Sequence, residues 1–419
     1  MKKFLSLMLC ILMVLSLVAC GNGSDTKTPD TDNPPSTDTI ELTMGSWRTD
    51  DVAQMNALLA EYKTVAPNVN ITFQPTLPAD YNATLRLQLD GDIGPDLMYA
   101  RSYATGIELF DAGYFTDCTD LAGMENFSDT AKAPWQTADG KMFAVPFAAV
   151  SHGVYYNKDV FAKENLSIPE TWDDFIALCA TLKEKGYTPL ANGLADEWDI
   201  LECFFLGMVP SFVGGADERV KYESGEKTMD DPAFVSTYAA IAETAPYLPS
   251  GFEAITYNDS QVLFETEQAV MFVDGSWTAG VYSDATFEWG VFAIPGPTAE
   301  STAITFHPDM AITMNAGTAH PEEAKAFLEW LCTKEGATAA SKNLPVGYYP
   351  MIDFEITLDD PHANEFLALN SGRDTDARFV WPALMDLYAP MNQSVIQVIK
   401  GEITPEDAAA AVAAAVSAK

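Results

Sequence analysis

The chain has 419 residues, with 23 basic and 60 acidic side chains, a formal net charge of -37 and 48% apolar content. So acidic a chain is a poor partner for nucleic acid or for a bare anionic membrane. Its length suits two lobes with separate cores, and its 6 cysteines form no CxxC motif and no His/Cys cluster.

Lys2 and Lys3 precede an apolar run, Leu5 to Ala19, that is too short to span a bilayer and reads as a secretory signal. Its end, Leu17-Val18-Ala19-Cys20, resembles the bacterial lipobox, so Cys20 is expected to carry a lipid after removal of residues 1–19. Acyl chains contribute about 0.8 kcal/mol per buried CH2, enough in multiple to hold a protein at a membrane. Residues 20–39 have no large apolar side chain and read as a flexible linker. Within it, Asp30-Thr31-Asp32-Asn33 lacks the glycine and terminal Glu of a calcium loop.

Ile40 to Met44 alternates as a strand. Val52, Met55, Leu58, Leu59, Tyr62 and Val65 then recur at helical spacing, and Val69, Ile71 and Phe73 alternate again. A second helix is predicted over about 81–89, a buried parallel strand over 97–100, and a helix over 103–112 with Gly113 as its C-cap. Thr171 and Asp174 make a capping box for a helix that Gly186 closes. Phe287 to Ile294 reads as a strand, Pro321 opens an amphipathic helix, and the alanine-rich tail is helical. The fold class is α/β. Cys118, Cys179, Cys203 and Cys332 fit buried thiols better than long-range disulfides, because Cys179 and Cys332 lie on apolar helical faces.

Signatures of catalysis are missing: there is no G-x-S-x-G elbow, G-x-G-x-x-G fingerprint or Walker loop. His152, His307, His320 and His362 never pair at metal spacing on one helix, so neither metal nor cofactor is expected. "DGDIGPD" and "DEWD" read as turn or cap chemistry rather than as an acid/base pair.

Six stretches, "GDIGPDLMYA", "DAGYFTDCTDL", "DGKMFAVPFAAVSHGVYYNKDVF", "PETWDDF", "FETEQAVMFVDGSW" and "NAGTAHPEEAKAFLEWL", together resemble the extracellular solute-binding proteins of ABC importers, in particular the sugar-binding family that includes maltodextrin-binding proteins. The resemblance implies a two-lobed periplasmic-binding-protein-like fold with the ligand in the cleft. It implies an N-terminal lobe of 40–147 and 298–331, a C-terminal lobe of 152–293 and 335–419, and hinge crossings near 146–151, 293–297 and 331–335. It further implies a monomer that takes a small molecule, a carbohydrate above all, and passes it to permease subunits that use the ATP. With Cys20 lipidated, the protein is expected on the outer face of a single-membrane bacterium.

Ligands of α/β lobes gather beyond the carboxyl ends of strands, which selects Ser46, Trp47 and Arg48 after the first strand and Arg101 and Ser102 after 97–100. The resemblance adds Asp196, Glu197 and Trp198, Trp277 of "DGSW", and Tyr388, with Trp381 as the competing aromatic. Where some relatives place an acid after "VPF", this chain has Val150, Ser151 and His152. Flat aromatics ringed by planar polar groups suit sugars, while Arg48 and Arg101 also suit a carboxylate-bearing sugar. Trp172, Trp289 and Trp330 read as core, and Tyr155 and Tyr156 as structural. Other readings are a peptide or polyamine ligand, a cell-surface glycan-acting enzyme, or an adhesin.

Overall fold

The computed structural model describes residues 39–354, 358 and 360–417. The signal, Cys20 and the linker as far as residue 38 lie outside the described residues. Strand β1 (Ile40–Ser46), helix α1 (Val52–Val65) and strand β2 (Val69–Pro75) form the expected unit, with β1 and β2 parallel from Ile40↔Val69 to Ser46↔Pro75. Helix α1 buries Met55, Leu58, Leu59 and Tyr62, the positions the helical spacing selects. Helix α2 (Pro78–Asp90) leads into β3 (Leu97–Ala100), which is buried throughout, and α3 (Tyr103–Asp111) ends just before Gly113 at φ +82.

Strand β4 (Val145–Asn157) is long and buried except for half-buried Tyr156. It is followed by β5 (Met271–Gly275), β6 (Trp289–Phe292), β7 (Ile304–Met314), β8 (Tyr349–Pro350) and β9 (Thr375–Asp376). The main strand order is β2-β1-β3-β7-β4-β5. The first half of β4 pairs with β7, and its second half pairs with β5 and β6. One strand therefore serves two cores. The first core gathers buried side chains from Leu42 to Val150 and from Met310 to Ile352. The second runs from Val154 to Ile294 and from Phe379 to Val412, and a smaller cluster around Tyr155, Phe264 and Phe366 adjoins β4.

At two places core membership differs from the expected division of the chain. Within 298–331, the span expected in the N-terminal lobe, Ile304 packs in the small cluster and the Thr305 hydroxyl donates to the Leu206 carbonyl, whereas Met310 and Ile312 lie in the first core. Residues from 335 onward were assigned to the other lobe, yet Ala337, Ala339, Ala340, Tyr348 and Ile352 belong to the first core. Small side chains explain the second difference. A Cβ on Gly336 would lie 2.0 Å from the Trp330 carbonyl oxygen, so helix Lys334–Asn343 can fold back tightly on helix Pro321–Leu331.

The capping box of Thr171 and Asp174 opens helix Trp172–Glu184, and Gly186 follows at φ +89. Trp198–Phe205 is a π-helix that runs straight into helix Leu206–Val213, which tolerates Pro210 in its interior. Among the described residues the four cysteines, Cys118, Cys179, Cys203 and Cys332, are free and buried. Among the described residues no single helix is long and apolar enough to cross a membrane.

Candidate functional site

Three tryptophans from three separate elements converge on one cation. Arg378, 2% exposed, lies 5.6 Å from the Trp198 ring, 5.1 Å from Trp277 and 4.5 Å from Trp381. Trp198 opens the π-helix, Trp277 follows β5, and Trp381 follows β9. The Arg378 guanidinium meets the buried Glu202 carboxylate at 3.1 Å, and Glu202 also accepts from the Trp381 indole N–H at 3.3 Å. Burial pushes Glu202 above the usual carboxylate range, and Arg378 opposes that push.

His152 completes this side. Arg378 Nε donates to His152 Nε2 at 3.3 Å, which leaves the imidazole proton on Nδ1, facing the Cys203 carbonyl at 3.3 Å. The rings of His152 and Trp277 meet edge to face at 5.3 Å, and His307 meets Trp381 at 5.3 Å. Burial, reinforced by Arg378, lowers both histidines well below their ordinary range, so both are neutral. Among the described residues, buried His307 Nε2 has no hydrogen-bond partner.

The opposite side is built at the ends of β1 and β3. The Arg101 guanidinium stacks 3.8 Å over Trp47 and bonds Asn82 Oδ1 at 3.1 Å. Burial lowers its pKa, Asp309 on β7 offers the leading electrostatic compensation, and Arg101 also feels Glu202 and Arg378. The two sides are thus within electrostatic reach of one another. Burial raises the pKa of Asp309 against the pull of Arg378, Arg101 and Arg48. Immediately after this turn Tyr103 takes a left-handed backbone, φ +54, which is rare for an aromatic residue. A cavity of about 120 Å3 lined by Tyr81, Asn82, Tyr99 and Arg101 adjoins the stack. A cavity of about 420 Å3 between Pro210, Glu300 and Arg373 shares no residue with it.

The residues singled out in the sequence fall into two groups. Arg101, His152, Trp198, Trp277 and Tyr388 gather here, Tyr388 beside Glu202 as well, so the two competing aromatics, Tyr388 and Trp381, meet the same carboxylate. Glu197 is exposed beside Trp198, and half-buried Ser102 precedes α3. Others are engaged elsewhere. Trp47 is 5% exposed, with Tyr81 and Tyr99 at its edges and Arg101 over its face, so it presents no open platform. Arg48 forms a fork on Asp51 at 2.6 and 2.8 Å, the fully buried Ser46 accepts from the Arg48 N–H, and Asp196 accepts from the Tyr257 N–H. Trp172, Trp289 and Trp330 are core.

Sequence reasoning missed Arg378, Glu202, His307 and Asp309. A signal existed for the first: the chain has only six arginines, and one stands three residues before Trp381. Glu202 lies in an apolar run that hides it, and Asp309 depends on the pairing of β7.

A sequence profile described as bacterial extracellular solute-binding protein matches residues 45–338. A multiple sugar-binding protein of Streptococcus mutans is 27% identical over 297 residues, covering 67% of this chain and 68% of its own. A maltotriose-binding protein of Pyrococcus abyssi is 25% identical over 341 residues, 78% and 69% of the two chains. The solved structure of the solute-binding protein RafE in complex with raffinose superposes with a TM-score of 0.74 at 21% identity, covering 90% of this chain and 98% of that one. The α/β two-lobed fold is shared with that solved structure.

Proposed function

Because the chain belongs to the bacterial extracellular solute-binding protein family, we propose that it captures a sugar or oligosaccharide between its lobes and delivers it, chemically unchanged, to the permease subunits of an ABC transporter. The observation that carries this reading is the convergence of Trp198, Trp277 and Trp381 on buried Arg378, within electrostatic reach of Arg101. A saccharide offers apolar C–H faces to such rings and hydroxyls to planar polar groups. The sugar-binding and maltotriose-binding names of its relatives support the same ligand class. The ligand contacts in this reading are Arg101, Glu197, Trp198, Trp277, Asp309 and Trp381.

The charge balance favours an uncharged saccharide over a uronate. Arg48 is matched by Asp51 and Arg378 by Glu202, while Arg101 has Asp309 as its leading compensating charge. In the same reading the protein is a monomer held by lipidated Cys20 at the extracytoplasmic face of the membrane.

The test is a thermal-shift screen of the purified chain against neutral mono- and oligosaccharides, uronic acids, amino acids and polyamines, followed by calorimetry and a check that the ligand is intact. Binding at a hundredfold excess over Kd stabilises by about 2.7 kcal/mol and raises Tm visibly. A shift with a neutral saccharide recovered intact is the expected result. Shifts confined to polyamines or amino acids overturn the ligand class, and turnover overturns the binding-protein reading.

A further inference from the structure

Asp274, near the end of β5, has no exposed surface and, among the described residues, no ion-pair partner. Its carboxylate accepts from the Tyr257 hydroxyl at 3.1 and 3.0 Å, from Cys203 Sγ at 3.0 Å and from the Thr278 hydroxyl. The Tyr257 hydroxyl in turn accepts the Trp277 indole N–H at 2.7 Å. An ionised carboxylate only accepts, so it forces the Tyr257 proton toward itself and leaves the tyrosine oxygen free to hold Trp277. Through Cys203 it grips the π-helix that carries Trp198 and Glu202.

Two walls of the aromatic cluster are therefore tied to one buried carboxylate. Holding that carboxylate is costly, since burial raises its pKa to about 6. Tyr155 on β4, Asp199 and Cys203 on the π-helix, Tyr257, and Tyr282 after β5 are the other titratable groups that feel its charge.

We propose that Asp274 is a positioning residue: its carboxylate fixes the direction of the Trp277–Tyr257 hydrogen bonds and anchors Cys203, so that Trp277 and Trp198 are held in one arrangement. Its use in ligand capture rests on the saccharide reading; its geometry does not. The full chain labelled with 5-fluorotryptophan gives a readout that needs no ligand, with the Trp277 and Trp198 resonances assigned by single Trp→Phe substitutions. Asp274→Asn should move the fluorine resonances of both Trp277 and Trp198 and leave that of Trp135, buried in the other core, unchanged. Tyr257→Phe should move Trp277 alone. Unmoved Trp277 and Trp198 in Asp274→Asn, or a uniform shift of every tryptophan, overturns the proposal.

Titration with the tightest-binding neutral saccharide of the screen supplies the second arm. Asp274→Asn should weaken binding about tenfold, with Tyr257→Phe in between, and unchanged affinity overturns the positioning role. If the wild-type chain binds no member of the screen, the saccharide reading fails, and the fluorine spectra alone decide whether Asp274 positions the two rings.

Discussion

Arg378 and Glu202 form a buried pair at 2% exposure each, and such pairs are most costly when one partner is removed. Arg378→Ala leaves Glu202 desolvated and without its cation, so the variant should lose about 3 kcal/mol at pH 8. Without Arg378, burial of Glu202 is opposed by hydrogen bonds from Tyr388 and Trp381 but by no buried cation, and its pKa rises further. Protonation then relieves the charge, so the Tm gap to wild type should narrow as pH falls from 8 to 5. Arg378→Ala/Glu202→Gln should recover much of the loss, and a gap unaffected by pH or by the second substitution would refute the pairing argument. At this scale the sequence was half legible. Trp198 and Trp277 belong to short motifs whose neighbours announce them, whereas Trp47 carries the same residue type at a turn and is spent on packing under Arg101. Glycine and arginine placement can be read along a chain, but the surroundings of Glu202 and Asp309 depend on partners far away in the sequence.

At the level of elements, the helices with caps and one apolar stripe were readable: α1, α3, Trp172–Glu184 and Pro321–Leu331 lie where spacing and caps put them. The π-helix was not. From Ile200 to Ser211 the chain is buried on all sides, so polarity shows no 3.6-residue period to read. Its one early acid, Asp199, is pushed up to about 8 by burial, against hydrogen bonds from Ser260, Gly193 and Asn192. A carboxyl whose folded pKa is raised binds its proton more tightly when folded. That contribution is fully present below the unfolded pKa, near 3.8, and is lost as pH rises through about 8. The Tm should therefore decline between pH 5 and 8, and Asp199→Asn should flatten the decline by a few degrees. An identical slope in the variant would show that Asp199 is ionised in the fold across this range.

For the whole molecule, the charge of -37 sets the solution behaviour. Self-repulsion over such a surface is screened within about 8 Å at physiological ionic strength, so added salt should raise Tm, and a salt-independent Tm would contradict the argument. The two-lobed arrangement was legible because six short stretches keep a common order, but the change of core within β7 and the packing of Ala337 to Ile352 in the first core were not. A boundary inside a strand leaves no turn residue, glycine or proline to mark it.

Strand β4 hydrogen-bonds to β7 along its first half and to β5 and β6 along its second. Machinery joined by such a member does not swing like a door on a pin. In the proposed capture cycle it would work as a torsion bar, with any change in the angle between the lobes shared as a small twist over many peptide units while the ladder stays intact. The resting angle then belongs to the pleat itself, and the restoring torque grows with each degree of twist. In that cycle, return to rest after a solute departs would need no separate trigger, because the bent sheet would supply the recoil.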